Sequence, residues 1–345
     1  MTGQATPANG IGSGALSGVA IGRERFAPHE LREVLSHYEL GEVRGVREAA
    51  LGTPTSPKAI VDCARGMMLL KRRARGVDAP GLVAFSHEIM LGCARRGVCV
   101  PPLVGTRELN NSIVQLDDRV YELFVFIEGN VDPRTMASAE RCGSLLGELH
   151  LALENVFEGA ADRLNKLGVP SEPLAIDPSR ADRASLDAEI SDVVRGVLER
   201  AACFSTESET RLVHGDWHPG NVIFRADEPV AVCDFDNTRL GSREREVAQG
   251  LAQFSLKRGL SGESPSRWTA EADFDRLAAH WRGYTQEHPG LLDVDRVAGL
   301  MPGVLMEEAL GSNSPEIVWA VLRKAQWLED RRAEIISAMH AGTTS

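Results

Sequence analysis

Two apolar runs, Val222-Ile223-Phe224 and Val230-Ala231-Val232, flank the turn-forming stretch Ala226-Asp227-Glu228-Pro229. That spacing predicts a β-hairpin. Upstream, strand-like segments occur at 40–46, 59–62 and 66–72, then at 110–115 and 120–127 around Asp117-Asp118-Arg119. Two helices interrupt them. One is short, over 27–36; the other runs over 85–96, with Phe85, Ile89, Met90 and Cys93 at helical spacing and Gly97 at its end. Beyond residue 128 the pattern becomes predominantly helical. Ser138 reads as the N-cap of a helix with Leu145, Leu146, Leu149 and Leu153 on its core face, where Gly143 and Gly147 allow close packing. Residues 158–182 carry Gly159, Gly168, Pro170, Pro173 and Pro178 and read as an irregular linker or insert. An amphipathic helix follows over 186–202, and others start near Arg243 and cover 270–286, 293–299, 304–309 and 316–338. The first 26 residues are rich in small side chains, lack a basic segment and a strong apolar core, and read as a flexible tail instead of a signal peptide. The expectation is an α+β chain: tail 1–26, a small β-rich lobe 27–128 and a larger, mostly helical lobe 129–345.

The predicted hairpin also organises the chemistry. A hairpin folds its ends together, so Asp216 and Asn221 before the first arm can meet Asp234 after the second. Such a group suits phosphoryl transfer. One carboxylate orients an attacking hydroxyl and accepts its proton, while an amide oxygen and a second carboxylate hold Mg²⁺ on nucleotide phosphates. An ordinary polar loop followed by an Asx-turn is the plainer account of the same residues.

The order and spacing favour the chemistry. His214-Gly215-Asp216-Trp217-His218-Pro219-Gly220-Asn221 and Asp234-Phe235-Asp236, with 18 positions from Asp216 to Asp234, resemble the paired motifs of the aminoglycoside phosphotransferase and choline kinase superfamily. The resemblance implies a bilobal protein-kinase-like fold, ATP and Mg²⁺ as cofactors, and a small-molecule hydroxyl as acceptor. It gives Asp216 the role of base, Asn221 and Asp234 those of metal ligands, and His214 and Asp236 supporting roles. Lys71, at the end of the 66–72 strand, stands where the family places its phosphate-binding lysine. Glu88, on the next helix, stands where the family places that lysine's partner, although His87 sits beside it. Adenine is expected against Phe124 and Phe126, with hydrogen bonds to main-chain groups nearby. The family usually opens the helix after the metal motif with Asp-Leu-Ala, whose carboxylate braces the catalytic loop. Here Glu246-Val247-Ala248 stand in that place. The phosphate-covering loop of the family corresponds to 51–57, which has no G-x-G-x-x-G, and Pro54 and Pro57 cannot donate amide hydrogens. The motifs around Lys71, Asn110 and the 120–124 strand look most like homoserine-kinase-type members.

Composition narrows the partners. The chain has 345 residues, 43% hydrophobic and 25% charged, as ordinary globular proteins do. Aromatics at 5% disfavour base-stacking surfaces, and a net charge of −11 argues against nucleic acid or an anionic membrane. No run approaches 18 uncharged apolar residues, so no segment is expected to span a membrane. Six cysteines without C-x-x-C spacing read as buried thiols in a reducing cytoplasm. The charge is uneven: residues 1–128 hold 15 Lys/Arg against 14 Asp/Glu, the remainder 23 against 35. An acidic acceptor lobe points to an amine-bearing alcohol, such as homoserine, an aminoalcohol or an aminoglycoside. Two alternatives compete. A protein substrate is disfavoured by the missing Gly-rich loop and activation segment. A nucleotide-binding regulator without turnover is disfavoured by the full set of acidic and amide groups.

Overall fold

The computed structural model describes residues 22–343 apart from 51, 157–159, 169–174, 185, 206–208, 258–262, 289–291 and 313. Helix α1 (Pro28–Ser36) precedes strands β1 (Val43–Ala49), β2 (Lys58–Cys63) and β3 (Gly66–Arg72). Helix α2 (Pro80–Ala94) then leads to β4 (Val114–Leu116) and β5 (Arg119–Val125). These strands form one antiparallel sheet in the order β1-β2-β3-β5-β4. Phe26, Val34 and Tyr38 pack with Val61, Leu70 and Leu123 as the core of the small lobe. Phe26 is buried, the Glu24 amide bonds Pro54 O and the Arg23 side chain bonds Gly52 O, so residues 23–26 belong to this lobe, not to a tail. The rest of the expected tail, 1–21, lies outside the described residues.

The larger part follows as α3 (Met136–Val156), α4 (Ala160–Lys166), α5 (Arg180–Arg183) and α6 (Ala188–Ala202). Next come β6 (Thr210–Val213), the hairpin β7 (Val222–Arg225) and β8 (Glu228–Val232), β9 (Arg239–Ser242) and α7 (Arg243–Ser255). Helices α8 (Phe274–Glu287), α9 (Val294–Leu310), α10 (Pro315–Asp330) and α11 (Arg332–Thr343) complete it. Strands β6 and β9 pair with each other, framing the catalytic stretch between two small two-stranded sheets.

Packing overrides several local signals. Ser138 lies inside α3 and not at its cap; its hydroxyl donates to Asp132 at 2.7 Å, and Asp132 in turn accepts from buried Arg276 at 2.7 Å. Pro302 does not separate two helices: α9 runs through it, because its flanks are buried and side-chain packing offsets one lost backbone bond. The stretch 316–338 divides at Arg331 into α10 and α11. The expected linker 158–182 contains α4, with Ala160 and Leu164 buried; residues 158–159 and 169–174 of it are outside the described set. Helices α3 and α8 cross at glycines. A β-carbon at Gly143 would stand 1.9 Å from His280 O, and one at Gly283 1.9 Å from Glu140 O.

One placement changes the division into lobes. Phe85, Ile89, Met90 and Cys93 of α2 pack with Leu145, Leu146, Leu149 and Leu153 of α3 in the large-lobe core, separate from the core under the sheet. By packing, α2 belongs to the large lobe. Cys63, Cys93 and Cys142 are buried, whereas Cys99 and Cys203 are exposed and Cys233 half-buried, so burial is not general to the thiols.

Candidate active site

The hairpin brings its two ends together. Val222 faces Val232, and the Cys233 amide donates to Asn221 O at 2.8 Å, so Asn221 and Asp234 stand side by side at its open end. Asn221 Nδ2 donates to Asp216 O at 2.9 Å and to Asp216 Oδ2 at 3.0 Å. With its nitrogen turned to Asp216, the Asn221 amide keeps Oδ1 as a hard oxygen donor. Asp234 adopts φ 64°, ψ 61°, the left-handed region that aspartate tolerates better than most residues. The pair supplies an amide oxygen and a carboxylate, the oxygen chemistry Mg²⁺ prefers, so these residues fit the metal that the motif implies.

The Asp216 loop is held from below. Glu246 Oε1 accepts from the Gly215 amide at 2.6 Å and Oε2 from the His214 amide at 3.1 Å. Its other partner is His150 Nε2 at 2.8 Å. Burial alone would raise the Glu246 carboxyl, but His150 and these amides hold it below its ordinary value. Gly215 has φ +80°, and a β-carbon there would meet Asn237 O at 2.1 Å, so the loop needs glycine. His214 donates from Nε2 to Cys233 O at 3.0 Å and packs edge-on against Phe235, ordering the loop against the metal motif. For Asp216 itself, burial raises the carboxyl and the His218 imidazole, 3.5 Å away, lowers it; the net direction is down, which leaves it ionised at neutral pH.

Opposite the hairpin, Lys71 Nζ lies 2.6 Å from Asp236 Oδ2 and 3.2 Å from Asp234 Oδ1. Burial would lower its affinity for a proton, but Asp234 and Asp236 more than reverse this, so Lys71 is cationic. The same cations act back on the acid: burial raises Asp234, and Lys71 with Lys58 holds it well below the carboxylate range.

Glu88 is not part of this group. Its side chain is 52% exposed and pairs with Arg163 on the large-lobe surface. The one-residue offset that His87 introduced is decisive, because His87 takes the inward position on α2 and bonds Glu122 of β5. Glu122, fully buried, receives Arg73 through two bonds of 2.6 and 2.8 Å and lies 3.8 Å from Lys71. Arg73 also reaches Asp236 at 2.7 Å. Glu122 therefore stands where Glu88 was expected to stand. Its signal in the sequence was a lone carboxylate between Tyr121 and Leu123 in an otherwise apolar strand. Phe124 and Phe126 are half-buried at the strand end, but the Val125 amide is used by Pro102 O and the Phe126 amide by Met67 O. Neither of these two amides is free for a ligand.

On the other side of Asp216, a cavity of about 270 Å³ is lined by Asp216, Arg239, Arg245, Glu246, Glu307 and Glu308, among others. Arg245 pairs with Glu307, and Arg180 reaches the same carboxylate at 3.5 Å. Glu308 accepts an amide bond from Gln253 at 2.8 Å and another from Gln249; burial raises its carboxyl, His218 lowers it and Asp216 raises it further.

A family model described as "Phosphotransferase enzyme family" matches residues 56–293, from just before β2 to just beyond α8. The chain belongs to the phosphotransferase enzyme family. Within it, the chain is 30% identical over 211 residues to a homoserine kinase of Methylocella silvestris, 60% of this chain and 63% of that one. It thus spans a little under two thirds of the curated relative it matches. Two solved phosphotransferase structures share the fold. An aminoglycoside phosphotransferase from Alicyclobacillus acidocaldarius superposes with a TM-score of 0.61 at 14% identity, covering 94% of this chain and 98% of the other. An amicoumacin kinase in complex with AMP-PNP, Ca²⁺ and Ami gives 0.62 at 13% identity, covering 90% and 94%. Among the described residues no helix is long and apolar enough to cross a membrane.

Proposed function

We propose that this phosphotransferase is an ATP- and Mg²⁺-dependent kinase that phosphorylates a hydroxyl of a small, amine-bearing molecule in a reducing cytoplasm. The convergence of Asp216, Asn221, Asp234 and Lys71 across one cleft carries the reading. Asp216 accepts the proton of the attacking hydroxyl; its lowered carboxyl is already ionised and needs only to be aimed, which Asn221 does. Asn221 Oδ1 and the Asp234 carboxylate are the metal's protein ligands. Lys71 steadies the phosphate chain, and its contact with Asp236 fixes its reach. Mg²⁺ supplies charge neutralisation on the phosphates. Phe124 and Phe126 line the adenine side. Glu122 and Glu246 position other groups and touch no reactant.

The amine preference rests on Glu308. The cavity is not uniformly acidic, as overall charge suggested: Glu307 is matched by Arg245 and Arg180, and Arg239 Nη1 is held by main-chain oxygens at 215 and 237. Glu308 receives side-chain amides from Gln253 and Gln249 beside His218, and its raised carboxyl is the group an ammonium would relieve. The cavity volume suits an acceptor the size of an amino alcohol or hydroxy amino acid. The test is acceptor-dependent ADP release over homoserine, aminoalcohols, aminoglycosides and neutral sugars. The amines should lead, and Glu308→Gln should raise KM for them while leaving neutral alcohols within about twofold. A neutral sugar turning over faster than every amine would remove the amine preference, and no acceptor-dependent release with any class would remove the kinase reading.

A further inference from the structure

In the loop expected to cover the phosphates, three of the six described positions 52–57 have no free backbone donor. Pro54 and Pro57 have no N–H, and the Ser56 amide is used by Thr53 O at 3.2 Å. Arg23 fastens the loop by donating to Gly52 O and Thr53 O. The next residue with something to offer is Lys58, the first of β2.

Three observations bear on it. In the β2–β3 register Lys58 stands directly opposite Lys71, so the two side chains leave the same face of the sheet, the one that meets Asp234 and Asp236. Like charges directly opposite one another destabilise a sheet, and nothing in the packing of β2 requires this pair. Second, the amine lies over Gly52: a β-carbon there would stand 2.5 Å from Lys58 Nζ, so glycine at 52 clears the space the amine occupies. Third, no carboxylate forms an ion pair with Lys58 among the described residues, although its charge is felt by Asp234, Asp236 and Glu122 across the cleft. Burial and then Lys71 push its pKa down to about 8. The arrangement is two cations side by side above the metal motif, one matched by carboxylates and one not.

We propose that Lys58 is a second phosphate-binding cation, adding one side chain to a loop poor in free backbone donors. A polyphosphate between Lys58 and Lys71 removes their mutual repulsion and supplies the anion that Lys58 otherwise has not got. This rests on the kinase reading above.

The test is calorimetric binding of MgATP, MgADP and adenosine to wild type, Lys58→Met and Lys58→Arg, with circular dichroism and thermal melting to verify folding. Lys58→Met should weaken MgATP by about tenfold, the scale of one charge-assisted contact, with adenosine changed less than about twofold. Lys58→Arg should restore most of the loss. Should Lys58→Met not fold, lysine acetylation of wild type followed by mass spectrometry replaces it: saturating MgATP should protect Lys58, adenosine should not. Equal MgATP affinity of wild type and a folded Lys58→Met, or Lys58 acetylated equally with MgATP and adenosine, would overturn the proposal while leaving the kinase reading intact. Wild type binding no MgATP at millimolar concentration would overturn both.

Discussion

At the residue scale the site separates groups that react from groups that hold. On the proposed reading, the Asp216 carboxylate, ionised, aimed by Asn221 and lining the cavity beside it, matters only when a hydroxyl attacks. Asp216→Asn should therefore lower kcat by ~10²–10⁴ while leaving the affinity for MgATP and the melting temperature close to wild type. Steady-state rates alongside calorimetric titration check this; activity within a few-fold of wild type would take Asp216 out of the chemistry. Glu246 does the opposite kind of work. It satisfies two buried amides of the loop, so Glu246→Ala should destabilise the fold by roughly 1–3 kcal/mol as well as slow turnover, read as a lower denaturation midpoint at unchanged m-value. How much of the site was legible beforehand follows the same division. Asp216, Asn221 and Asp234 are announced by a motif because reacting atoms demand fixed residue types at fixed spacing. Glu122 was not, because any carboxylate arriving from any neighbouring strand or helix can neutralise Lys71 and Arg73. The expectation for Glu88 failed for that reason: a position on a helix does not state which way it faces.

Among the elements, the α3–α8 crossing sets how closely the large lobe is packed. Gly283 meets Glu140 O and Gly143 meets His280 O, so neither site has room for a methyl group. Gly283→Ala should destabilise by at least the ~1–3 kcal/mol typical of overpacking, seen as a lower denaturant midpoint. Next to it His280 is fully buried, donating Nδ1–H to Ala139 O at 3.0 Å and stacking on Phe254. Burial, only partly offset by that bond, pushes its pKa down to about 4 from 6.5. The unfolded chain takes up this proton first, so the contribution of neutral His280 is complete above pH 6.5 and is lost as pH falls toward 4. Over that window it amounts to about 3 kcal/mol. His280→Asn should show a visibly flatter dependence of melting temperature on pH between 6.5 and 4; a slope equal to wild type would mean that His280 is not the group responsible. The elements themselves were readable where periodicity decided them, as in β3, and misread where burial did. Pro302 signals a break that the surrounding core overrules.

For the molecule as a whole, the boundary between its two parts is drawn in charge. His87 of α2, hydrogen-bonded to Glu122 of β5, and the ion pairs that join Glu122 to Arg73 and Lys71, after and within β3, and these to Asp234 and Asp236 beyond the hairpin form one continuous polar line between sheet and large lobe. The buried apolar side chains Phe85, Ile89, Met90 and Cys93 of α2 lie on the far side of that line, in one core with α3. Order along the chain and membership of a physical unit therefore part company. Someone dividing the gene after residue 128, where the composition changes, would keep α2 with the sheet and leave Phe85, Ile89, Met90 and Cys93 facing water. A fragment of residues 22–128 should accordingly aggregate or bind a dye for exposed apolar surface, where the intact chain does not. A monomeric, dye-silent fragment would show that the sheet can shelter α2 alone. The small lobe is thus no module that could be lent to another protein: the helix in its middle is property of its neighbour.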